Sequence, residues 1–213
     1  MMLYADRVSA GRALGNELSH LRARDALAPG PLVLGLPRGG VPVAAAVREV
    51  IGGDLDILLV RKLGVPWQPE LAAGAIGEQS VRVVNSDVVR QTGLDAGRLD
   101  AIEADERAEL ARRSMIWRGD RPPIPLRGRT VVIVDDGIAT GASVVAACRV
   151  ARAQEPGHLV VAVPVAAPEA LPRIRGEADE VVCPHTPAAL AGVGGAYRDF
   201  HQLADAEVTE LLR

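Results

Sequence analysis

Two adjacent carboxylates, Asp135 and Asp136, directly follow the apolar run of residues 130–134 and precede small and hydroxyl-bearing residues over 137–143. The N–H groups of such a loop, and of a helix that begins after it, favour the binding of a phosphate. Carboxylates beside a phosphate accept hydrogen bonds from sugar hydroxyls and are also ligands for a divalent cation. The pattern therefore indicates a site for a sugar phosphate.

This loop differs from two common phosphate-binding loops. No Gly-Lys-Ser/Thr follows its glycines, so it is not a Walker loop, and it lacks the spacing of a dinucleotide fingerprint. The hydroxyls of Thr140 and Ser143 are further donors to a phosphate. The remaining alternative is an ordinary strand–loop–helix connection with incidental acids.

Basic residues occur where two other predicted strands end. Arg38 lies in the turn over residues 37–40, whose glycines permit close approach to an anion, and its guanidinium offers a bidentate contact. Arg61 and Lys62 directly follow the apolar run of residues 55–60, and Lys62 is the single lysine of the chain. Adjacent cations repel each other unless an anion lies nearby. A tight turn with a surface arginine and a solvated surface pair are the alternatives.

The segment TVVIVDDGIATGASV over residues 130–144 resembles the signature that binds PRPP, 5-phosphoribosyl 1-diphosphate, in type I phosphoribosyltransferases. In that signature, an apolar strand is followed by two acids, a short spacer and Thr-Gly. Four further segments, DRVSAG, LGLPRGGVPVA, LLVRKLGVPWQPELAAGAI and YRDFHQ, make the whole chain similar to uncharacterised bacterial proteins of this family. The natural substrate of that narrower group is generally unassigned.

The resemblance implies roles for these residues. Asp135 and Asp136 would contact the ribose 2- and 3-hydroxyls, directly or through Mg²⁺, the implied cofactor. The 5-phosphate would be held by Gly137, Ile138, Ala139, Thr140, Gly141 and Ser143. The diphosphate would be held by Arg38, Gly39, Arg61 and Lys62, in a region that often contains a non-proline cis peptide bond. The implied catalytic residues are Asp135, Asp136, Arg38 and Lys62.

The resemblance also implies two elements that cover the ligand. Residues 63–77 would form a flexible loop that excludes water, with Trp67 either sealing the closed site or packing onto a long helix. A hood over the base would come from the chain ends, where Tyr197 or Phe200 either stacks on the base or anchors the tail. Hypoxanthine-guanine enzymes of the family carry an acid just before Thr-Gly, and Ala139 at that position disfavours a 6-oxopurine acceptor.

Strand patterns alternate with helical patterns along the chain. This order predicts a three-layer α/β/α fold with a mainly parallel sheet, plus a small hood and a flexible loop. We expect a single domain over residues 1–213, with a core at about 30–185, a helical insertion at 94–118 and a C-terminal hood and tail at 186–213. The predicted strands are 32–36, 55–60, 81–84, 130–134, 158–165 and 179–183, and the predicted helices are 6–24, 41–50, 94–118, 142–154, 168–175 and 205–212.

Two segments between these units have distinct patterns. Residues 61–80 are punctuated by glycine and proline, which predicts a mobile loop with a short hairpin. Residues 94–118 predict a solvated helix that lies on the core through one apolar stripe. The stripe consists of Leu99, Ile102, Leu110 and Trp117, and the predicted ion pairs are Glu103 with Arg107 and Glu109 with Arg113.

Composition narrows the classes of partner. With 24 basic and 27 acidic residues, a net charge of −3 and 2% aromatic residues, the chain gives no case for a nucleic-acid partner. Two cysteines, Cys148 and Cys183, exclude a disulfide framework. The sequence has neither a secretory signal nor an apolar run of membrane-spanning length, so we expect a cytoplasmic protein without a membrane partner.

The resemblance implies an Mg²⁺-dependent phosphoribosyltransferase that moves ribose 5-phosphate from PRPP to a nitrogenous, base-like acceptor and releases diphosphate. Its partners would be PRPP and an unidentified acceptor, and family members are commonly homodimers. One alternative is a non-catalytic regulatory protein that senses PRPP or nucleotides, although the chain has no basic face for a nucleic acid. Another is a phosphorylase or hydrolase that acts on ribosyl phosphates.

Overall fold

The computed structural model describes residues 2–22, 27–190 and 192–213. The strands in these residues are β1 (Leu32–Gly35), β2 (Asp54–Ile57), β3 (Val60–Val65), β4 (Gln68–Gly77), β5 (Arg82–Val84), β6 (Thr130–Val134), β7 (His158–Ala162) and β8 (Glu180–Val182). The α-helices are α1 (Arg7–Arg22), α2 (Gly40–Ile51), α3 (Ser86–Thr92), α4 (Ala96–Trp117), α5 (Ala142–Arg152), α6 (Leu171–Arg175) and α7 (Asp205–Leu211).

The central sheet is the middle layer of three. Its five strands are all parallel, in the order β2-β1-β6-β7-β8. Alternate residues of β1 face opposite layers, because Leu32 and Leu34 pack with α5 whereas Val33 packs with α1 and α2. Apolar strands covered on both faces are typical of parallel sheets. The predicted α/β fold with a mainly parallel sheet is confirmed.

The strands β1 and β6 are neighbours whose following connections diverge. The helix α2 leads from β1 to β2 at one side of the sheet, and α5 leads from β6 to β7 on the other. The register aligns Gly35 at the end of β1 with Val134 at the end of β6. A crevice therefore opens beyond these two strand ends, which is where open α/β sheets bind ligands.

Residues 60–84 form a second sheet, which is antiparallel and has the order β3-β4-β5. The prediction of a mobile loop with a short hairpin underestimated this segment, since Leu63 and Ile76 are fully buried in it. At Gly74 a Cβ atom would overlap the carbonyl oxygen of Val83. Glycine at this position permits the close approach of two strands. In a sequence, glycine is also typical of loops, which is why the segment was predicted to be one.

The tip of the β3–β4 hairpin carries Trp67, whose side chain is exposed. The guanidinium carbon of Arg98 on α4 lies 5.7 Å from the centre of the indole ring. A cation over an indole face is a favourable arrangement. Of the two predicted roles of Trp67, contact with the long helix is the one present in this structure.

The predicted long helix is α4, which packs on the antiparallel sheet and is preceded by the shorter α3. It begins after Asp95, whose side chain accepts a hydrogen bond from the N–H of Arg98 at 2.9 Å. Neither α4 nor any other helix in the described part of the chain is long and apolar enough to cross a membrane. The buried members of its stripe are Leu99, Leu110 and Trp117, and both predicted ion pairs, Glu103 with Arg107 and Glu109 with Arg113, are present.

The two ends of the chain meet beside the crevice. The N–H of Tyr4 donates to the carbonyl of Ala196 at 3.0 Å, and the N–H of Asp199 donates to the carbonyl of Ala5 at 2.9 Å. A 3₁₀ turn over Val193–Ala196 leads into this contact. The helix α7 then packs against α2 and α4. Both termini therefore contribute to the structure that borders the strand ends.

Candidate active site

A cavity of about 350 Å³ opens in the crevice beyond the ends of β1 and β6. Four predicted site residues line it: Arg61, Lys62, Asp135 and Ser143. They belong to β3, to the loop after β6 and to the first turn of α5, so three segments distant in sequence converge on one space. The helix α4 adds Glu106, Leu110, Arg113 and Trp117 to the lining, and the sequence analysis assigned none of these to the site.

The two predicted acids lie in different electrostatic surroundings. The N–H of Asp136 donates to Oδ1 of Asp135 at 2.9 Å. Burial, followed by the neighbouring charge of Asp136, raises the pKa of Asp135 well above its ordinary value. Burial also raises the pKa of Asp136, although the guanidinium of Arg7 opposes that shift. Ionisation of both acids is therefore unfavourable here unless a cation lies nearby.

Arg7 is the cation that reaches this pair from the start of α1. Its Nε donates to Oδ2 of Asp136 at 2.9 Å, and its Nη1 donates to the carbonyl of His201 at 2.9 Å. The guanidinium carbon lies 3.9 Å from the centre of the Phe200 ring. The sequence shows no signal for the pairing of Arg7 with Asp136, because the two residues lie 129 positions apart.

The predicted phosphate loop is anchored at its first half. A Cβ atom at Gly137 would lie 2.6 Å from a methyl carbon of Val193, so the tail packs directly against this glycine. The N–H of Ile138 donates to the carbonyl of Val165 at 2.9 Å, and the side chain of Ile138 is buried. The amide of Ile138 is therefore engaged within the protein in this structure, and the predicted role of Ile138 in holding the 5-phosphate stays a prediction.

The second half of the loop leads into the start of α5. Gly141 has a φ of 78°, a left-handed conformation that glycine adopts without strain, and no side chain caps the helix. The first N–H groups of a helix lack intrahelical partners, and the helix dipole is positive at that end. Ala139, Thr140 and Ser143 are exposed around it. This arrangement fits an anion such as a phosphate.

The turn after β1 lies directly against the acids. The Pro37–Arg38 peptide bond is cis, as the family resemblance implies. A Cβ atom at Gly39 would overlap the carboxylate of Asp136, and one at Gly40 would lie 2.5 Å from the carbonyl oxygen of Val134. Only glycines allow the turn to approach the end of β6 this closely.

The predicted diphosphate cations have carboxylate neighbours from distant helices. Nε of Arg61 lies 2.5 Å from Oε2 of Glu106 on α4, and Nη1 of Arg38 lies 3.9 Å from Oδ1 of Asp205 on α7. Lys62 lines the same cavity. The acids on α4 and α7 went unassigned in the sequence analysis because their charges are those of any solvated helix.

Tyr197 and Phe200 lie where the tail meets the acid pair. The hydroxyl of Tyr197 donates to the carbonyl of Asp136 at 2.5 Å, and its ring stacks on Phe200 with centroids 5.0 Å apart. Burial raises the pKa of Tyr197 above its ordinary value, so the phenol stays a donor. The ring of Tyr197 is 3% exposed. Of the two predicted roles, anchoring the tail is the one that this geometry shows for Tyr197.

The acid pair suits a divalent cation that is shared with a bound substrate. Mg²⁺ typically takes one or two protein carboxylates and completes its octahedron with substrate phosphates and waters. Within the described residues, no group of three His, Cys, Asp or Glu side chains forms a complete protein site. The carboxylates of Asp135 and Asp136 therefore fit Mg²⁺ when waters or a bound ligand supply the further oxygens.

Comparisons with known proteins bear on the family of this chain. A family model for the phosphoribosyl transferase domain matches residues 17–198. Two Mycobacterium tuberculosis proteins, from strains CDC 1551 and H37Rv, have names that class them provisionally as phosphoribosyl transferases, and each is 53% identical over 212 residues. These matches cover 100% of this chain and 47% of each relative, so the chain spans about half the length of the curated relatives it matches.

A solved structure extends the comparison to the fold. The crystal structure of a protein from Thermus thermophilus is 43% identical in sequence and superposes with a TM-score of 0.91. The superposition covers 100% of this chain and 98% of that protein. The two chains therefore share one architecture over their whole lengths.

Proposed function

The chain belongs to the family of proteins with a phosphoribosyl transferase domain, and we propose that it transfers the ribose 5-phosphate of PRPP to a nitrogenous acceptor with release of diphosphate. One observation carries this proposal. Asp135, Ser143 in the first turn of a helix without a side-chain cap, and the cations Arg61 and Lys62 line a single cavity of about 350 Å³. A sugar that bears one phosphate and one diphosphate offers a partner for each of these groups.

We assign each part of PRPP by charge and donor type. The 5-phosphate meets the N–H groups that open α5, together with the hydroxyls of Thr140 and Ser143. The ribose hydroxyls donate to Asp135 and Asp136. The diphosphate lies against the turn after β1 and against the cations at the start of β3. The residues assigned to the diphosphate are Arg38, Gly39, Arg61 and Lys62.

The reaction breaks the bond between C1 of the ribose and a diphosphate oxygen, and it forms a bond between C1 and an acceptor nitrogen. Positive charge develops at C1 and negative charge on the departing diphosphate, so fixed charges are the main source of rate enhancement. Arg38, Arg61 and Lys62 stabilise the diphosphate, while the two acids hold the ribose. Mg²⁺ supplies further positive charge to the diphosphate when it is bound.

Exclusion of water matters because hydrolysis of PRPP competes with transfer. The wall formed by α4 supports this role, since Leu110 and Trp117 are buried apolar residues that line the cavity. We propose that the closing role predicted for residues 63–77 falls to the β3–β4 hairpin, whose tip contacts α4 through Trp67 in this structure. We assign the hairpin the task of covering the diphosphate.

The test combines binding with turnover. Calorimetry with PRPP and Mg²⁺ should show binding, and diphosphate release should then appear with at least one member of a panel of nitrogenous bases. Binding that never leads to release with any base would overturn the transferase and favour the regulatory alternative. Absence of PRPP binding would overturn both.

A matched pair of variants keeps this test specific. Lys62→Gln removes a cation from the cavity, whereas Arg127→Gln removes one from a pair with Glu155 on the exposed surface. We expect Lys62→Gln to weaken PRPP binding and Arg127→Gln to leave it unchanged. Equal behaviour of the two variants would contradict the placement of the diphosphate.

A further inference from the structure

In the part of the chain that the structure describes, Arg7 forms an ion pair with one acid of the pair, Asp136. Arg7 is 8% exposed and is held on three sides by protein groups. Oδ2 of Asp136 and the carbonyl of His201 each accept one of its hydrogen bonds, and the Phe200 ring lies against the guanidinium. These contacts fix the position of the guanidinium. Its positive charge is permanent, because guanidinium groups do not lose their proton in proteins.

The other acid has a different set of partners. Oδ1 of Asp135 accepts the N–H of Asp136, and the side chain lines the cavity with Ser143 and Lys62. Arg7 and Asp135 share no ion pair among the described residues. The charge of Asp136 is therefore matched by a neighbouring cation, and the charge of Asp135 faces the cavity.

We propose that Arg7 is a positioning residue that divides the work of the two acids. It holds Asp136 as an acceptor for a ribose hydroxyl and leaves Asp135 as the carboxylate that contacts a divalent cation. This inference rests on the proposed function, because it assigns the acids toward the ribose and the cation of that same site.

The physical basis is repulsion between like charges. A guanidinium 2.9 Å from Oδ2 of Asp136 opposes the approach of a divalent cation to that oxygen. The same hydrogen bond fixes the orientation of the carboxylate, and its remaining lone pairs can still accept from a neutral hydroxyl. Arg7 therefore weakens binding of a free cation by the pair without removing its capacity to bind a sugar.

The test measures Mn²⁺ binding alone, without PRPP, by electron paramagnetic resonance and calorimetry. We expect Arg7→Gln to bind free Mn²⁺ at least tenfold more tightly than the wild-type protein. Arg7→Lys retains the positive charge, and its affinity for Mn²⁺ should stay within about twofold of the wild-type value. The matched control is Arg12→Gln, which removes an exposed arginine of the same helix that pairs with Glu49, and it should also stay within about twofold.

A second arm separates the two acids and does not depend on the folding of any Arg7 variant. With Arg7 unchanged, Asp135→Asn should abolish most Mn²⁺ binding. Asp136→Asn should leave the affinity for Mn²⁺ within about threefold of the wild-type value. Circular dichroism checks that each variant is folded.

Two results would overturn the division of labour. One is a folded Arg7→Gln protein whose Mn²⁺ affinity equals that of wild type, which would reduce Arg7 to a structural anchor. The other is an equal loss of Mn²⁺ binding in both asparagine variants. No measurement here uses PRPP, so failure of this inference leaves the diphosphate-release assay standing, and failure of that assay leaves the Mn²⁺ result standing.

Discussion

Two pairs of carboxylates among the described residues, Asp56 with Glu78 and Asp135 with Asp136, are largely buried, and they differ in how far neighbouring cations compensate their charge. Asp56 and Glu78 share Arg118, which is 6% exposed and donates to both carboxylates as well as to the carbonyl of Ile57. Asp56 also accepts the N–H groups of Ile57 and Ile124, at 2.8 and 3.0 Å. Every group in this cluster therefore has partners within the protein.

The pair Asp135 and Asp136 also consists of two acids and an arginine, but its negative charge is less fully compensated. Among the described residues, Arg7 forms an ion pair with Asp136. Burial raises the pKa of both acids, and the charge of Asp136 contributes further to the shift of Asp135. Ionisation is unfavourable here, which is typical of sites where an external group completes the charge balance.

The contrast separates a structural cluster from a binding cluster. The satisfied cluster joins β2, the residues after β4, the end of α4 and the linker that follows it, so it connects the two sheets. The incompletely compensated cluster lies at the cavity. Burial of an acid alone thus does not indicate a candidate site, whereas a shortage of internal partners beside a cavity makes Asp135 and Asp136 candidates.

The largest expected effect tests the satisfied cluster. Arg118→Met should lower the free energy of unfolding by about 3–5 kcal/mol, because it leaves two carboxylates without their cation in a buried setting. Urea denaturation measures the change. Arg127→Met, which breaks an exposed pair with Glu155, should cost less than about 1 kcal/mol. Similar decreases in the free energy of unfolding of the two variants would contradict the view that the buried cluster matters more for stability than the exposed pair.

The next effect concerns turnover rather than stability. Asp136→Asn should reduce diphosphate release by about 10²–10³-fold, because the variant loses the charged acceptor for a ribose hydroxyl. Its far-ultraviolet circular dichroism should match that of wild type. The control is Asp56→Asn, which should lower stability but leave turnover per folded molecule unchanged. Near-wild-type turnover in Asp136→Asn would contradict the ribose role.

In the absence of metal and ligand, Asp135→Asn should increase the free energy of unfolding, and the change should be smaller than the loss expected for Arg118→Met. Because burial raises the pKa of Asp135 in the folded state, ionisation costs stability above that pKa. The asparagine variant should be more stable than the wild-type protein at pH 8. Urea denaturation in the presence of a chelator measures the difference.

The pH dependence of that difference has a fixed sign. As the pH falls through the raised folded-state pKa, the wild-type carboxyl takes up a proton and the advantage of asparagine shrinks. Below the unfolded-state pKa of about 3.9 both states are protonated and the difference should vanish. An advantage that grows toward low pH would show that Asp135 is not held in an unfavourable charged state.

The smallest effect compares two phenols, the buried Tyr197 and the half-buried Tyr4. Tyr197→Phe removes the donor to the carbonyl of Asp136 and should cost about 1 kcal/mol, with a small decrease in diphosphate release. Tyr4→Phe removes a donor to the carbonyl of Pro164 at 3.2 Å and should affect stability without changing turnover. Identical turnover in the two variants would mean that Tyr197 acts as an anchor alone.

Local patterns in the sequence were sufficient for the central sheet and the phosphate loop. The run of residues 130–134 is β6 with the predicted bounds, and the acids, the loop and α5 follow in the predicted order. Strand identity, turn chemistry and helix start are all encoded within a short stretch of neighbouring residues there. The role of each loop residue in binding stays a prediction.

Partners that lie far apart in sequence could not be predicted. Arg7 meets Asp136 across 129 positions, and Arg118 meets Asp56 across 62. One sequence gives no sign that either arginine differs from the other arginines of the chain. The antiparallel sheet was underestimated for a related reason, since Gly74 serves a contact with Val83 that only the folded chain reveals.

The dependence of Asp136 on both chain ends has a consequence for the order of events during translation. Arg7 is synthesised before Asp136, whereas the carbonyl of His201, which accepts from the Arg7 guanidinium, and the hydroxyl of Tyr197, which donates to the carbonyl of Asp136, are synthesised after it. A nascent chain arrested before Tyr197 would already contain the phosphate loop beside an unsupported acid. Asp136 therefore acquires its complete set of partners only after residues 197–201 have been synthesised.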